Sequence, residues 1–344
     1  MNDEFIDIIP FNNKVKCEVE IPGSKSISNR ALILAVLNES EVELKGILKS
    51  EDVDIMIAAL QSLGVKIEVD NSKRSVIVQG CKGILPVKKA VINVGNAGTV
   101  ARFLTALLAL QYGGEYFLDG SPAMRLRPMS GLLNALEFHG AKFEFSNEIN
   151  CFPFKMKTNS LSKLNWDIDA SESSQILSAI LLIASSISGD TMVNLIGETV
   201  SKPFVQMTIE MIHQFSQSGS EKITQVRNDY IIPEINFNIS EGKYDIEPDA
   251  TAASYFISLP LAVGGQVLVK GLQNCTLQGD IGYCETVQEI GFSITKSEFG
   301  IESKLDSKSQ GGDFNFNDIS DTFLTLAALS PLLPSPLKIS GIAH

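Results

Sequence analysis

Hydrophobic and polar positions along the chain follow two alternating periods. Apolar runs at helical spacing predict buried helices over 28–37, 99–110, 174–185, 250–263 and 321–332. Each is followed by a short strand-like stretch: VELKGIL, EYFLDG, TMVNLIG, QVLVKG and LKISGI. Between these lies a second pattern, an amphipathic helix ending in a small residue and then two strands of period 2. It reads ALQSLG then VKIEV and RSVIVQG, returns around NALEFHG and MIHQFSQSG, and closes as TVQEIG, FSITK and IESKL. The turning glycines, Gly64, Gly140, Gly219 and Gly291, are separated by 76, 79 and 72 residues, and near-constant spacing marks an internal repeat. A glycine after a last helical turn supplies the left-handed conformation that ends the helix.

The predicted unit is therefore helix–strand–helix–strand–strand, repeated. Residues 176–184 and 326–329 are apolar on nearly every face, so the helices are expected inside, with sheets around them, in an α/β (α+β) fold. The stretch 233–244 breaks the regularity and is the expected crossover between two domains. Two domains also suit a chain of 344 residues, which exceeds what one core usually holds.

Composition narrows the chemistry. Three histidines, His139, His213 and His344, lie far apart, which argues against His-ligated zinc and against a Ser-His-Asp triad. Five cysteines without a CxxC pair read as reduced thiols of a cytoplasmic protein. A net charge of -12 disfavours nucleic acid as a partner. The start, MNDEFIDIIP, lacks the basic residues of a signal peptide, and no apolar window reaches the roughly 20 residues needed to cross a bilayer, so no membrane is expected.

Five helix starts carry more polar chemistry than capping requires. In PGSKSISNR, Lys25, Ser26, Ser28 and Arg30 cluster where a glycine-containing loop opens a helix, a natural site for phosphate; the spacing is not that of a Walker loop. In GNAGT, Gly95 and Gly98 allow close backbone approach to a ligand, with Thr99 as the expected helix cap. Arg125 and Arg127 precede Pro128 and are spaced to face one dianion. Ser173, Ser174 and Gln175 open a very apolar helix, and Ser201 precedes Lys-Pro-Phe in the same manner. Asp321 is either a helix cap or a general base. Each start, read singly, is also explained as an ordinary cap or a solvated surface. Together they describe a cleft for a small polyanion, and group transfer between two anionic metabolites fits them.

The ordered set PGSKSISNRA, GNAGTVARFL, LRPM, SSQILSAIL, SKPF, PDATAASYF, QGDIGY and DISDTFLTLAAL resembles the 5-enolpyruvylshikimate-3-phosphate synthase family, from Pro22 to His344. The resemblance implies an enolpyruvyl transferase-like fold of two domains built from βαβαββ units, one over 22–239 and the other joining 1–21 to 240–344. It implies transfer of the enolpyruvyl group of phosphoenolpyruvate to the 5-hydroxyl of 3-phosphoshikimate, through a tetrahedral phospho-ketal, with release of phosphate. No cofactor and no metal are implied, and a monomer is expected.

By the same resemblance, Lys25, Ser26, Arg30, Ser173, Ser174, Gln175, Ser201 and Asp321 bind 3-phosphoshikimate, with Lys25 and Asp321 the catalytic pair. Lys25, Asn96, Gly98, Arg127 and Gln175 bind phosphoenolpyruvate, and Asp321 takes the proton of the attacking hydroxyl. Phe204 stands where the family usually has tyrosine, and Ala123 where many members have arginine. The family's Lys-Glu-[Ser/Thr]-Asp-Arg segment has no counterpart, and one more repeat of about 75 residues beyond Gly291 runs past His344. A chain cut short in its last repeat, with little or no turnover, is therefore expected. The related transferase acting on UDP-N-acetylglucosamine is the nearest alternative, and a chain that binds phosphoshikimate without turnover is another.

Overall fold

The computed structural model describes residues 7, 9–161, 165–197, 199–217, 222–306 and 308–342. The chain divides into two compact units, one formed by Pro22–Glu247 and one joining the stretch up to Ile21 to the chain from Pro248 onward.

In the first unit the helices are α1 (Lys25–Leu37), α2 (Glu51–Ser62), α3 (Gly98–Ala109), α4 (Ser130–Phe138), α5 (Ser174–Ala184) and α6 (Lys202–Phe215). Every residue of α3 is buried, and so is every residue of α5 except Gln175. Sequences apolar on all faces satisfy that burial only in the interior, and α1, α3, α5 and α6 pack on one another there. Helices α2 and α6 carry polar residues along one side and bury the other.

Three four-stranded sheets belong to this unit and share one topology. Strand β5 (Lys89–Asn93) runs parallel to β6 (Tyr112–Asp119), which pairs antiparallel with β8 (Phe154–Asn159), and β7 (Lys142–Phe145) lies at the edge. Parallel pairing requires a crossover connection, which α3 supplies, while α4 leads into the hairpin. The pattern repeats with β9 (Trp166–Asp169), β10 (Thr191–Ile196), β12 (Asp229–Ile232) and β11 (Thr224–Val226) around α5 and α6. In the third sheet, β2 (Glu41–Lys45), β4 (Ser75–Gln79) and β3 (Ile67–Asp70) take the same places. The parallel position there is filled by β13 (Lys243–Asp245), from the far end of the unit.

That strand moves the expected border. Lys243, Tyr244 and Asp245 pair with Glu43, Leu44 and Lys45. The Tyr244 ring packs 4.8 Å from that of Phe215, and its hydroxyl donates to Gln214 Oε1 at 2.8 Å. Residues 240–247 therefore belong to the first unit, and the chain passes to the second between Glu247 and Pro248 instead of at 239.

The second unit holds β1 (Val15–Glu20), β14 (Gly265–Lys270), β16 (Gly300–Leu305) and β15 (Phe292–Ser297) in the same arrangement, with α7 (Ala250–Val263) and α8 (Tyr283–Ile290). Strands β17 (Asp313–Asn315) and β18 (Lys338–Ser340) form a parallel pair joined through α9 (Phe323–Leu329). The single helix expected over 321–332 is instead α9 flanked by 3-10 turns at Ser320–Thr322 and Ser330–Leu332; Pro331, which has no N–H to donate, lies in the second. Gly64, Gly140 and Gly291 have φ of 90°, 118° and 120°, as the repeat requires; Gly219 lies outside the described residues. No helix among the described residues is long and apolar enough to cross a membrane.

One close approach sets how α4 meets the neighbouring repeat. A Cβ at Gly131 would overlap the Asp169 carbonyl oxygen and lie 3.1 Å from Ile176 Cδ1. Alanine gains about 1 kcal/mol in helix propensity, but forcing α4 away from the start of α5 costs about 1–3 kcal/mol, so the steric term is the larger. Gly131→Ala is expected to lower the unfolding midpoint by several degrees, measured by calorimetry; an unchanged or higher midpoint would show that α4 shifts without cost.

Candidate functional site

At the start of α1, close packing demands glycine: a Cβ on Gly23 would overlap the Gly46 carbonyl oxygen. Ser24 is the N-cap residue, yet its side chain makes no capping bond. Lys25 is half exposed, with Nζ 3.8 Å from Asp52 Oδ2, and Ser26 is half-buried. Four residues later Arg30 turns inward and is 1% exposed. Its Nε donates to Thr208 Oγ1 at 2.7 Å, Nη1 to the Ser26 carbonyl at 3.0 Å, and Nη2 to Ser178 Oγ at 3.3 Å and the Phe204 carbonyl at 3.2 Å.

The guanidinium also lies 5.1 Å from the centre of the Phe103 ring and 6.0 Å from that of Phe204. Burial pulls its pKa down to about 9, which leaves it charged at neutral pH. Four of its five N–H groups are thus engaged within the protein, and Arg30 stands beneath the helix start instead of at its mouth. Phe204 offers its ring face and its carbonyl to Arg30, two contacts that do not need a tyrosine hydroxyl.

The GNAGT turn is held by Asn93, whose Oδ1 accepts from Gly95 N at 2.8 Å while Gly95 adopts φ 55°. Ala97, not Thr99, occupies the N-cap of α3, and no side chain caps it. The Thr99 hydroxyl instead accepts from Asn29 Nδ2 at 2.9 Å. Asn96 is exposed at the turn, its Oδ1 accepting from Ser121 Oγ at 3.3 Å.

Gly98 is where separate motifs meet. A Cβ built there would lie 3.0 Å from Arg127 Nη1, 3.1 Å from Arg102 Nη1 and 3.2 Å from Gln175 Oε1. Only glycine leaves this point open, between two guanidiniums and an amide. Arg102 is 5% exposed; it donates from Nη1 to the Gly98 carbonyl at 3.2 Å and from Nη2 to the Pro128 carbonyl at 3.0 Å, while its buried Nε has no partner among the described residues. Burial and, after it, the neighbouring Arg127 bring its pKa down to about 10. Two like charges with an unpaired donor are stabilised by an anion placed between them. Arg102 lies outside the site residues that the sequence motifs single out. The signal was present, because an arginine inside VARFLTALLAL must find partners when the helix is buried.

Arg125 departs from expectation. Its Nε and Nη2 donate to Asp119 Oδ1 and Oδ2 at 2.8 and 2.6 Å, a bidentate pair that holds the Asp119 carboxyl below its ordinary range. Asp119 thus engages Arg125, and the guanidinium that lies beside that of Arg127 at Gly98 is Arg102.

At α5, Ser173 is a true N-cap, its Oγ accepting from Gln175 N at 3.2 Å. Ser174 is buried, with no side-chain hydrogen bond among the described residues, and Gln175 points its Oε1 toward Gly98. Ser201, buried at the N-cap of α6, has φ 49° and ψ 51°, a left-handed conformation that costs a serine about 1–2 kcal/mol. Such strain at a polar helix start is a mark of a functional position. Among the described residues no group of three metal-capable side chains occurs.

Asp321 belongs to the second unit. It lies exposed in the 3-10 turn Ser320–Thr322, and Thr322 takes the N-cap of α9, so the capping reading of Asp321 does not hold. The adjoining 3-10 turn Gly279–Gly282 carries Asp280, which is 6% exposed and accepts a hydrogen bond from the Thr251 hydroxyl. Burial, then the charges of Asp321 and Asp249, push the Asp280 pKa up to about 7 against the hydrogen bond that lowers it. Between pH of about 4 and about 7 the folded protein keeps a proton that the unfolded chain releases, so stability falls as pH rises through this window, by up to about 4 kcal/mol. Asp280→Asn is expected to remove this loss, so that its unfolding free energy relative to the parent chain rises from pH 4 to 7; a constant difference would show that Asp280 does not titrate there.

Known proteins resemble this chain over nearly its whole length. Residues 10–344 match the family described as EPSP synthase (3-phosphoshikimate 1-carboxyvinyltransferase). A 3-phosphoshikimate 1-carboxyvinyltransferase of Opitutus terrae is 39% identical over 99% of this chain and 76% of its own length. One of Nostoc punctiforme is 37% identical over 98% and 78%. The chain thus spans about three quarters of these relatives, and the expected early stop in the last repeat gains no support from the matches. A solved EPSP synthase of Acinetobacter baumannii superposes with a TM-score of 0.77 at 20% identity, covering 95% of this chain and 74% of that one, which establishes the shared fold. The polar helix starts converging on Gly98, the repeated βαβαββ units and these matches lead to one assignment: the chain belongs to the EPSP synthase family.

Proposed function

We propose that this protein transfers the enolpyruvyl group of phosphoenolpyruvate to the 5-hydroxyl of 3-phosphoshikimate and releases inorganic phosphate. The observation that carries this reading is the convergence of Arg102, Arg127 and Gln175 on the open point at Gly98, in a chain related throughout to 3-phosphoshikimate 1-carboxyvinyltransferases. Phosphoenolpyruvate carries a phosphate and a carboxylate, and two guanidiniums beside a helix start match such a dianion. In this reading Lys25, Asn96, Gly98, Arg127 and Gln175 hold it, with Arg102 added to the set.

Ser26, Ser173, Ser174 and Ser201 supply hydroxyls to 3-phosphoshikimate, Lys25 and Gln175 serve both substrates, and Arg30 contributes its charge from below. The attacking 5-hydroxyl oxygen bonds to the substituted alkene carbon and gives its proton to Asp321, while the π electrons of the alkene take a proton from solvent water onto the methylene carbon, which becomes the methyl group of the ketal. Loss of a proton from that methyl group to water, with expulsion of phosphate, then restores the double bond. Negative charge that develops on the ketal is held by cations and N–H groups already in place, which avoids reorganisation during the reaction. The route needs no cofactor.

3-Phosphoshikimate is expected to raise the thermal unfolding midpoint, while UDP-N-acetylglucosamine leaves it unchanged; equal shifts, or none with the former, would overturn the substrate assignment. Where the chain releases phosphate from the two substrates, Asp321→Asn is expected to lower kcat by about 10²–10⁴-fold. Undiminished turnover in that variant would remove Asp321 as the base.

A further inference from the structure

Two consecutive polar side chains lie deep in α1, a helix with eleven of its thirteen residues buried. Arg30 reaches α6 at Thr208 and Phe204 and α5 at Ser178, as described above. Asn29 turns the other way and is 0% exposed. Its Nδ2 donates to Thr99 Oγ1 at 2.9 Å, and its Oδ1 is buried without a partner among the described residues.

Stability alone does not account for an asparagine there. A buried amide with one atom unpaired costs about 1–3 kcal/mol, and the single hydrogen bond returns about 1 kcal/mol. Leucine has the same number of side-chain heavy atoms and the same branching at Cγ, and would carry neither term. The position of the bond gives the alternative reason. Lys25 precedes Asn29 by four residues and so sits one turn earlier on the same side of α1. Gly98 immediately precedes Thr99 in the first turn of α3. The Asn29–Thr99 bond thus joins the second turn of α1 to the first turn of α3.

We propose that Asn29 is a positioning residue: through Thr99 it holds the start of α3, with Gly98, in register with the start of α1, with Lys25 and Ser26, so that the two helix starts act as one anion site. The other contact described between α1 and α3, the Arg30 guanidinium against the Phe103 ring, is less directional, and such contacts tolerate sliding by a fraction of a turn. A directional bond at 2.9 Å does not. Asn29 and Arg30 together tie α1 to α3, α5 and α6, the helices whose starts carry Gly98, Ser173–Gln175 and Ser201. The inference rests on the reading of these helix starts as the substrate site.

The test uses the full chain and calorimetric titration of phosphoenolpyruvate in the presence of saturating 3-phosphoshikimate, with unfolding midpoints measured alongside. Asn29→Leu and Thr99→Val are each expected to weaken phosphoenolpyruvate binding about fivefold, with midpoints equal to or above that of the parent. The double variant is expected to bind no more weakly than either single one, because both remove the same bond. Losses that add in the double variant, losses that follow a drop in midpoint, or unchanged affinity in folded variants would overturn the positioning role. Should Asn29→Leu fail to fold, Asn29→Ala with Thr99→Val gives the same cycle. Absence of binding by the parent chain would overturn the substrate reading and this inference with it, an outcome distinct from tight binding by parent and variants alike.

Discussion

A charged guanidinium sealed inside a helical layer is the constraint on which much of the first unit depends. Arg30 can remain there only because Thr208, Ser178, Ser26 and the Phe204 carbonyl take its protons and two aromatic rings face its plane. A buried charge stripped of its partners costs several kcal/mol, so α1, α5 and α6 are obliged to meet at this point and in this register. Apolar packing supplies most of the stabilisation of the layer. It does not dictate which turn of one helix lies beside which turn of another, and the polar core does.

The site is a consequence of that registration. Helices α3 and α5 are mostly apolar, with Arg102, Thr105 and Ser178 the polar residues inside them, and they pack on each other close to their beginnings, where Gln175 reaches Gly98. Each start contributes a different resource: backbone N–H groups and an open glycine at α3, a capping serine and an amide at α5, a strained serine at α6. Cations come from Arg127 on the connecting turn and from Arg102 within α3. The overall charge of -12 and this local positive cluster are compatible because a binding site responds to charges within a few ångströms, and the remaining surface is screened by salt.

Asp280 illustrates the opposite arrangement in the second unit. A carboxyl is buried beside two other acids with a single hydrogen bond to hold it, an expensive placement at neutral pH. It adjoins the turn that carries Asp321, and cost accepted beside a candidate base is consistent with selection for chemistry over stability.

Much of this was legible along the chain. The 72–79-residue spacing of Gly64, Gly140, Gly219 and Gly291 reported the repeat, because a left-handed helix end is a local requirement that only a few residue types meet. The polar helix starts at Lys25, Gly98, Ser173 and Ser201 were legible for a similar reason: each is a cluster of polar or glycine residues within one turn of an apolar run. Partnerships between distant segments were not. Nothing near Arg125 announces that Asp119 across a turn will claim it, or near Arg102 that it will replace Arg125 beside Arg127.

Thr99 read as a cap because capping is its commonest local use; only the packing of α1 on α3 gives its hydroxyl to Asn29. Likewise β13 joins the first unit through a ladder with residues some 200 positions earlier, a pairing no local pattern encodes. The sequence by itself determined the repeat, the buried helices and the chemical types at their starts, since these follow from periodicity and one-turn hydrogen bonding. The tertiary structure decided which of those groups share a site, because hydrogen bonds and ion pairs act over about 3 Å in space whatever the separation along the chain.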